Sequence, residues 1–263
     1  MRSFNILGTS LHVSKIGLGT ASLHHSLVAD RRRILKASLD GGITHIDTAR
    51  LYGNGISEST IGNYLSSSVR ESLTIATKVG FEVNRVQEFM PMTSKVFTVM
   101  RSRFLGPRPQ VTNYSIEACE RSLSASLKAL KSDWVDILFL HEPLLATYEQ
   151  IERLLPWFKL QQSMGKARYI GLAGDHLIGS ELHKRFGSQF NIIQTNRVND
   201  YSMPPQIQYG FFRDLSESQK SEVWRKVLRQ DFDGMMLYSS KKPSRIDNLC
   251  KALSKQIGDD GDI

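Results

Sequence analysis

Short apolar segments alternate with amphipathic helical segments along most of this chain. We predict strands at residues 15–20, 43–46, 73–78, 134–140, 167–172, 190–195, 206–212 and 234–238. Alternation of this kind implies a parallel sheet whose strands are joined by crossover helices. Eight such units in about 250 residues predict a closed (β/α)8 TIM barrel. A doubly wound open sheet is the alternative, although Gly17-x-Gly19 lacks the third glycine and the trailing acid of a dinucleotide fingerprint.

Three segments depart from the regular alternation. Residues 3–13 alternate around a turn at 7–10 and predict an N-terminal β-hairpin. Residues 81–113 form a long loop after the third strand, which we interpret as a substrate lid, with disorder as the alternative. The connection that holds Pro204 and Pro205 is too short for a full sixth helix. We therefore expect one barrel domain over residues 1–263 with a shortened sixth helix.

Composition argues against membrane-spanning and secreted classes of protein. The chain has 263 residues, of which 40% are hydrophobic, and no apolar run is long enough to span a membrane. Its N-terminus lacks the apolar region of a signal peptide, and its two cysteines are too far apart to suggest a metal or redox pair. These features predict a cytoplasmic protein without a membrane partner.

The charge balance is basic, with a net charge of +8. Nucleic-acid binding is not expected, because the basic residues are spread along the chain and are not interleaved with aromatic residues. A net positive field instead favours anionic cofactors and phosphates. We expect a small-molecule partner and a monomer or small homo-oligomer.

Four polar residues lie at or just after three successive predicted strands. Asp47 and Tyr52 follow the second strand, Lys78 ends the third and His141 follows the fourth. The carboxyl ends of barrel strands meet at one rim, where barrel enzymes carry their catalytic residues. Taken singly, these residues have structural explanations, such as a helix-capping Asp47 or a core His141.

Together they suggest acid–base chemistry. A phenol has a reference pKa of about 10, so a nearby cation is needed for it to act near neutral pH. Lys78 can supply that charge, and Asp47 can keep Lys78 charged and in place. A metal-dependent hydrolase that uses His45, Asp47 and His141 is an alternative, because residues 45 and 47 share one face of their strand.

These residues and their flanks resemble the aldo/keto reductase family. The resemblance is carried by Asp47, Tyr52, Lys78 and His141, by the flanking sequence at 42–49 and by Gly-Lys-Ala-Arg-Tyr-Ile-Gly at 165–171. The segments at 115–120 and 133–136 point to its sugar-dehydrogenase-like branch. The resemblance implies hydride transfer between a nicotinamide and a carbonyl or alcohol, with Tyr52 as general acid/base, His141 orienting the carbonyl, and no metal.

The same resemblance implies where the cofactor binds. Gln194 would bind the nicotinamide carboxamide, Tyr209 would stack on its ring, and Gly19, Thr20 and Asp47 would lie nearby. The adenosine end would be held by Ser239, Ser240, Arg245 and Asn248, and Arg245 near a helix start suggests NADP(H) in preference to NAD(H).

The chain also departs from the family pattern. Ala173-Gly174 replace the family's Ser-Asn pair after strand five, and Ser239 replaces a lysine. Ala173-Gly174 and the shortened sixth helix leave open a non-catalytic, cofactor-binding sensor or partner subunit on the same barrel.

Overall fold

The structure is a computed structural model that describes residues 1–82, 111–174, 181–196, 206–210 and 234–259. Eight parallel strands close into a barrel. The prediction of a TIM barrel is therefore confirmed, and the open sheet is wrong. After the two strands of the N-terminal hairpin, the barrel strands are β3 (Ile16–Gly19), β4 (His45–Asp47), β5 (Thr74–Val79), β6 (Val135–His141), β7 (Ala167–Gly174), β8 (Ile192–Asn196), β9 (Ile207–Tyr209) and β10 (Met235–Tyr238). Around the barrel they follow the order β10-β3-β4-β5-β6-β7-β8-β9.

Helices follow most of the barrel strands. Two of them begin with side-chain caps: Ser115 accepts a hydrogen bond from the Ala118 amide, and Thr147 forms a reciprocal capping box with Gln150. None of the described helices is long and apolar enough to cross a membrane. Among the described residues, the α-helices are α1 (Val28–Asp40), α2 (Ile56–Tyr64), α3 (Ser67–Glu71), α4 (Ile116–Leu130), α5 (Tyr148–Ser163), α6 (Glu181–Phe186) and α7 (Pro243–Asp259).

The N-terminal hairpin closes the floor of the barrel. Its strands β1 (Ser3–Asn5) and β2 (His12–Ser14) pair antiparallel, as predicted. Ile6, Leu11 and Val13 pack in one buried cluster with inward-facing barrel residues such as Phe139. The hairpin therefore closes this end of the barrel interior with apolar side chains.

Two predicted segments fall mainly outside the described residues. Of the loop at 81–113, only the two ends are described, and they are joined by an antiparallel bridge between Phe81 and Thr112. The Glu82 amide donates to the Val111 carbonyl at 2.8 Å. The two ends of this loop therefore meet just after β5. The connection that holds Pro204 and Pro205 lies outside the described residues.

Candidate active site

Asp47 and Lys78 meet inside the C-terminal rim. In the barrel register Asp47 lies opposite Ala76, so Lys78 projects from the next inward-facing position of β5. The Lys78 ammonium donates to both oxygens of Asp47 at 2.7 Å and to the carbonyl of Thr48 at 2.9 Å. The two side chains are only 2% and 3% exposed. The predicted contact between them is therefore present and shielded from water.

Burial acts against both charges. It raises the pKa of Asp47 and lowers the pKa of Lys78, because each charged form loses its hydration. The contact between the two groups opposes both shifts. The amide of Gln194 also opposes the rise for Asp47 by donating to Oδ1 at 3.0 Å. Asp47 thus accepts hydrogen bonds from two partners that favour its charged form.

Tyr52 is carried by a tightly turned loop after β4. Its amide donates to the Ala49 carbonyl at 3.0 Å, and its own carbonyl accepts from the Ser57 amide at 3.3 Å. The next three residues all have positive φ: 63° at Gly53, 53° at Asn54 and 85° at Gly55. Such a run is rare because a side chain is strained in this conformation. The turn places the Tyr52 ring beneath the ammonium of Lys78, 5.0 Å from the ring centroid.

The electrostatics of the phenol differ from the sequence-based expectation. Burial and the carboxylates of Asp47 and Glu142 raise the pKa of Tyr52 well above its ordinary value. The charge of Lys78 does not offset this rise in pKa, since its ammonium donates to Asp47 and lies over the face of the Tyr52 ring. Tyr52 is therefore a phenol that keeps its proton at neutral pH.

His141 completes the group at the end of β6. Its ring lies edge-on to the ring of Tyr52, with centroids 6.3 Å apart, and to that of Phe81 at 4.9 Å. Burial and the charge of Lys78 lower the pKa of His141 to about 3. At neutral pH its imidazole is therefore uncharged, so one ring nitrogen can donate a hydrogen bond.

Several of the residues expected to bind a cofactor lie around this group. Thr20 is buried, and its hydroxyl donates to the Asp47 carbonyl at 2.9 Å. Ser239 donates to the Gly19 carbonyl at 2.8 Å, and a Cβ added at Gly19 would lie 2.5 Å from the Ser239 hydroxyl oxygen. Tyr209 ends β9, where it pairs with Asn196.

The residues expected at the adenosine end lie farther along the rim. Ser240 is buried and closes the turn before α7 through its bonds with Lys242. Arg245 and Asn248 lie in the first two turns of α7 and are exposed. These two side chains are therefore at the surface beside the rim, where a phosphate could reach them.

Three functional candidates were missed from the sequence. Arg50 and Glu58 form a buried ion pair beneath the Tyr52 loop. Glu142 has a left-handed backbone with φ 48°, and its carboxylate acts on both Tyr52 and Lys78. A signal for Glu58 was available, because it lies one turn before buried Ile61 on the same face of α2.

The metal-site alternative finds no support in this geometry. His45 and Asp47 do share a face, as expected, but both oxygens of Asp47 are bonded to Lys78. Within the described ranges, no group of three His, Cys, Asp or Glu side chains could hold a metal ion.

Curated proteins of similar sequence include two reductases. The chain is 28% identical over 166 residues to the aldo-keto reductase yakc [NADP(+)] of Schizosaccharomyces pombe, covering 61% of this chain and 42% of that protein. It is also 28% identical over 188 residues to the NADH-specific methylglyoxal reductase of Escherichia coli, covering 67% and 54% respectively. The chain thus spans about half the length of the curated relatives it matches.

A solved structure shows the same fold over nearly the whole chain. The aldo-keto reductase AKR11C1 from Bacillus halodurans superposes with a TM-score of 0.67 at 20% identity, covering 96% of this chain and 91% of its own. The model of the aldo/keto reductase family matches residues 15–196. With more than half of its length matched by that model, this chain belongs to the aldo/keto reductase family.

Proposed function

We propose that this protein is an NAD(P)H-dependent oxidoreductase that transfers hydride between the nicotinamide and a carbonyl or alcohol. The substrate class would be aldehydes, ketones or sugars, and Tyr52 would be the general acid/base. One observation carries the proposal: Lys78 and Asp47 form a dry ion pair, and Tyr52 and His141 lie beside it. The loop at 81–113 would act as a lid over the substrate, and its first residue, Phe81, contacts His141.

The protonation states suit reduction of a carbonyl. Neutral His141 can donate a hydrogen bond to the carbonyl oxygen and hold it next to Tyr52. The Tyr52 phenol holds its proton until negative charge develops on that oxygen, which then becomes basic enough to take it. Lys78 supplies a fixed positive charge nearby, and because the site is dry this charge stabilises the developing negative charge more than it would in water. For oxidation the same groups act in reverse.

The chain's own residues fit a nicotinamide coenzyme. The Gln194 Oε1 atom is buried and meets no hydrogen-bond donor within the described part of the chain. It is therefore an acceptor suited to a carboxamide N–H. Ala173 lies beside Gln194 in the barrel register and offers no polar contact, so Gln194 would carry this recognition. When bound, the coenzyme supplies the hydride.

We propose NADP(H) in preference to NAD(H). Arg245 is an exposed guanidinium in the first turn of α7, where the helix N-terminus and the charge both favour a phosphate. The Schizosaccharomyces pombe relative is named for NADP(+), whereas the Escherichia coli relative is named as NADH-specific. The comparison of the two coenzymes therefore belongs in the first experiment.

The test combines binding with turnover. NADPH and NADH are titrated against the intrinsic Trp fluorescence, and oxidation of each is followed with a panel of aldehydes, ketones and sugars. Tyr52→Phe should lower kcat by about 100-fold or more while coenzyme affinity stays close to wild type. Turnover by Tyr52→Phe at the wild-type rate, or no coenzyme binding at all, would contradict the proposal.

A non-catalytic coenzyme sensor or partner subunit is the second candidate. It is favoured by Ala173-Gly174, which remove polar contacts beside Gln194. Saturable coenzyme binding without turnover across the whole panel would support this candidate against the first.

A further inference from the structure

The ion pair between Arg50 and Glu58 lies beneath the loop that carries Tyr52. Arg50 Nη1 contacts Glu58 Oε2 at 3.2 Å, and the two side chains are 8% and 0% exposed. Burying two charges is costly, and an apolar pair of similar volume is often at least as stable. Stability alone is therefore a poor explanation for this pair, and its surroundings suggest another.

Glu58 connects the two segments that carry the catalytic candidates. Its Oε1 accepts a hydrogen bond from the Thr77 hydroxyl at 2.7 Å. Thr77 precedes Lys78 and projects from the opposite face of β5. Through Oε2, Glu58 holds Arg50, which lies two residues before Tyr52. A single carboxylate on α2 thus links the backbone that carries the phenol to the strand that carries the ammonium.

Arg50 in turn supports the left-handed turn after Tyr52. A Cβ added at Gly55 would lie 2.0 Å from Arg50 Nη1 and 2.6 Å from the guanidinium carbon. The guanidinium therefore packs directly against the backbone of Gly55, where φ is 85°. Tyr52 lies in the loop between Arg50 and Gly55, the two residues in contact. Displacement of Arg50 would therefore shift the loop and Tyr52 with it.

We propose that Glu58, acting through Arg50 and Thr77, is a positioning residue that fixes Tyr52 relative to Lys78. This inference rests on the proposed function, in which those two side chains act together. Neither Arg50 nor Glu58 is required to touch substrate or coenzyme.

Electrostatics give independent support. Burial lowers the pKa of Lys78, and the charges of Asp47, Glu58 and Glu142 oppose that lowering. Loss of the Glu58 charge should therefore lower the pKa of Lys78. In a pH profile of kcat, this change would move the alkaline limb to lower pH.

The test uses Glu58→Gln, which keeps the side-chain shape but removes the charge, and Thr77→Val, which replaces the hydroxyl by a methyl group and so removes its hydrogen bond to Glu58. Arg70→Met is the control for loss of a buried ion pair away from the catalytic candidates, because Arg70 and Asp136 form another buried pair at 3.0 Å, with side chains 7% and 2% exposed. Asp136 lies near the start of β6, at the floor end of the barrel. The readouts are kcat, KM, the pH profile, and hydrogen exchange of residues 48–57.

We expect Glu58→Gln to lower kcat by about 10- to 100-fold with KM little changed, since small displacements of catalytic groups have effects of this size. Its alkaline limb should move to lower pH, and exchange at 48–57 should rise. Thr77→Val should lower kcat by about 3- to 10-fold, because it removes the charge-assisted hydrogen bond that ties Glu58 to β5. Arg70→Met should lower thermal stability without changing kcat or exchange at 48–57.

The inference would be overturned if Thr77→Val, and Glu58→Gln where it folds, both kept kcat within twofold of wild type. Unchanged hydrogen exchange at residues 48–57 in these variants would also overturn it. So would a loss of kcat in Arg70→Met equal to that in Glu58→Gln. If Glu58→Gln does not fold, Thr77→Val decides alone. Failure of the proposed function has a different signature, because then wild type and Tyr52→Phe would have the same activity. The exchange measurement would still report on the positioning of the loop.

Discussion

Replacing Lys78 by Met tests the dry ion pair directly. The variant keeps an unbranched side chain but leaves Asp47, itself 3% exposed, without its cation. Removing one partner of a buried pair costs about 3–5 kcal/mol, because the remaining charge is desolvated and unpaired. For a chain of this size that loss lowers Tm by roughly 6–20 °C.

The chain provides a matched control on its surface. Lys36 contacts Asp40 at 2.6 Å, but those side chains are 66% and 61% exposed. Lys36→Met makes the same chemical change at nearly the same contact distance, and we expect little change in stability because water screens an exposed pair. The difference between the two variants therefore isolates the effect of burial. Asp47→Asn combined with Lys78→Met should recover part of the loss, since no buried charge remains.

The loss should also depend on pH. Burial already raises the pKa of Asp47 above its ordinary 3.8, and removal of Lys78 raises it further. The folded variant then binds a proton that the unfolded chain releases above pH 3.8. Its stability relative to wild type should therefore improve as pH falls from 8 toward 4, by up to about 1.4 kcal/mol per pH unit.

Urea unfolding followed by circular dichroism at pH 5, 6, 7 and 8 measures these quantities. Equal losses for Lys78→Met and Lys36→Met would refute the claim that burial sets the energy of the pair. A loss for Lys78→Met that is the same at pH 5 and pH 8 would refute the role assigned to Asp47.

Three further predictions concern other parts of the barrel. His45 is fully buried, and burial lowers its pKa from 6.5 to about 3. Wild type should therefore lose stability as pH falls below 6.5, by up to about 1.4 kcal/mol per pH unit from this group. His45→Leu should reduce this pH dependence, measured as the urea concentration at the unfolding midpoint between pH 6.5 and 4. Gly55→Ala should lower both Tm and kcat more than Gly165→Ala, because both positions have positive φ but only Gly55 has a neighbour, Arg50, within 4 Å. Arg245→Ala should raise the Kd for NADPH by about tenfold with a smaller effect on NADH, measured by fluorescence titration.

The barrel and the pairing of Asp47 with Lys78 were predictable because both follow from local patterns. Strand and helix periodicities fix a barrel, and in a barrel the carboxyl ends of neighbouring strands meet. Two residues at the ends of adjacent strands were therefore expected to be close, and the structure places them 2.7 Å apart. The N-terminal hairpin was predictable for the same reason, since its alternation and turn are local.

The raised pKa of Tyr52 could not be predicted in this way. The raised pKa depends on burial and on carboxylates that include that of Glu142. The backbone of Glu142 has a left-handed conformation, with φ 48°, that no pattern in the sequence predicts. The pairing of Arg50 with Glu58 was missed because it joins a loop to a helix through side chains alone. Hydrophobic periodicity predicts strands and helices, but it does not predict which polar side chains become buried by tertiary packing or where the backbone is irregular.

The closed floor of the barrel has a practical consequence for handling the protein. Leu7, at the tip of the hairpin, is 77% exposed and lies on the face remote from Tyr52 and His141. The chain's two cysteines, Cys119 and Cys250, are both buried. A thiol introduced by Leu7→Cys would therefore be exposed for maleimide coupling. Molecules attached to a sensor surface through this thiol would present the barrel rim that carries Tyr52 and His141 to the solution.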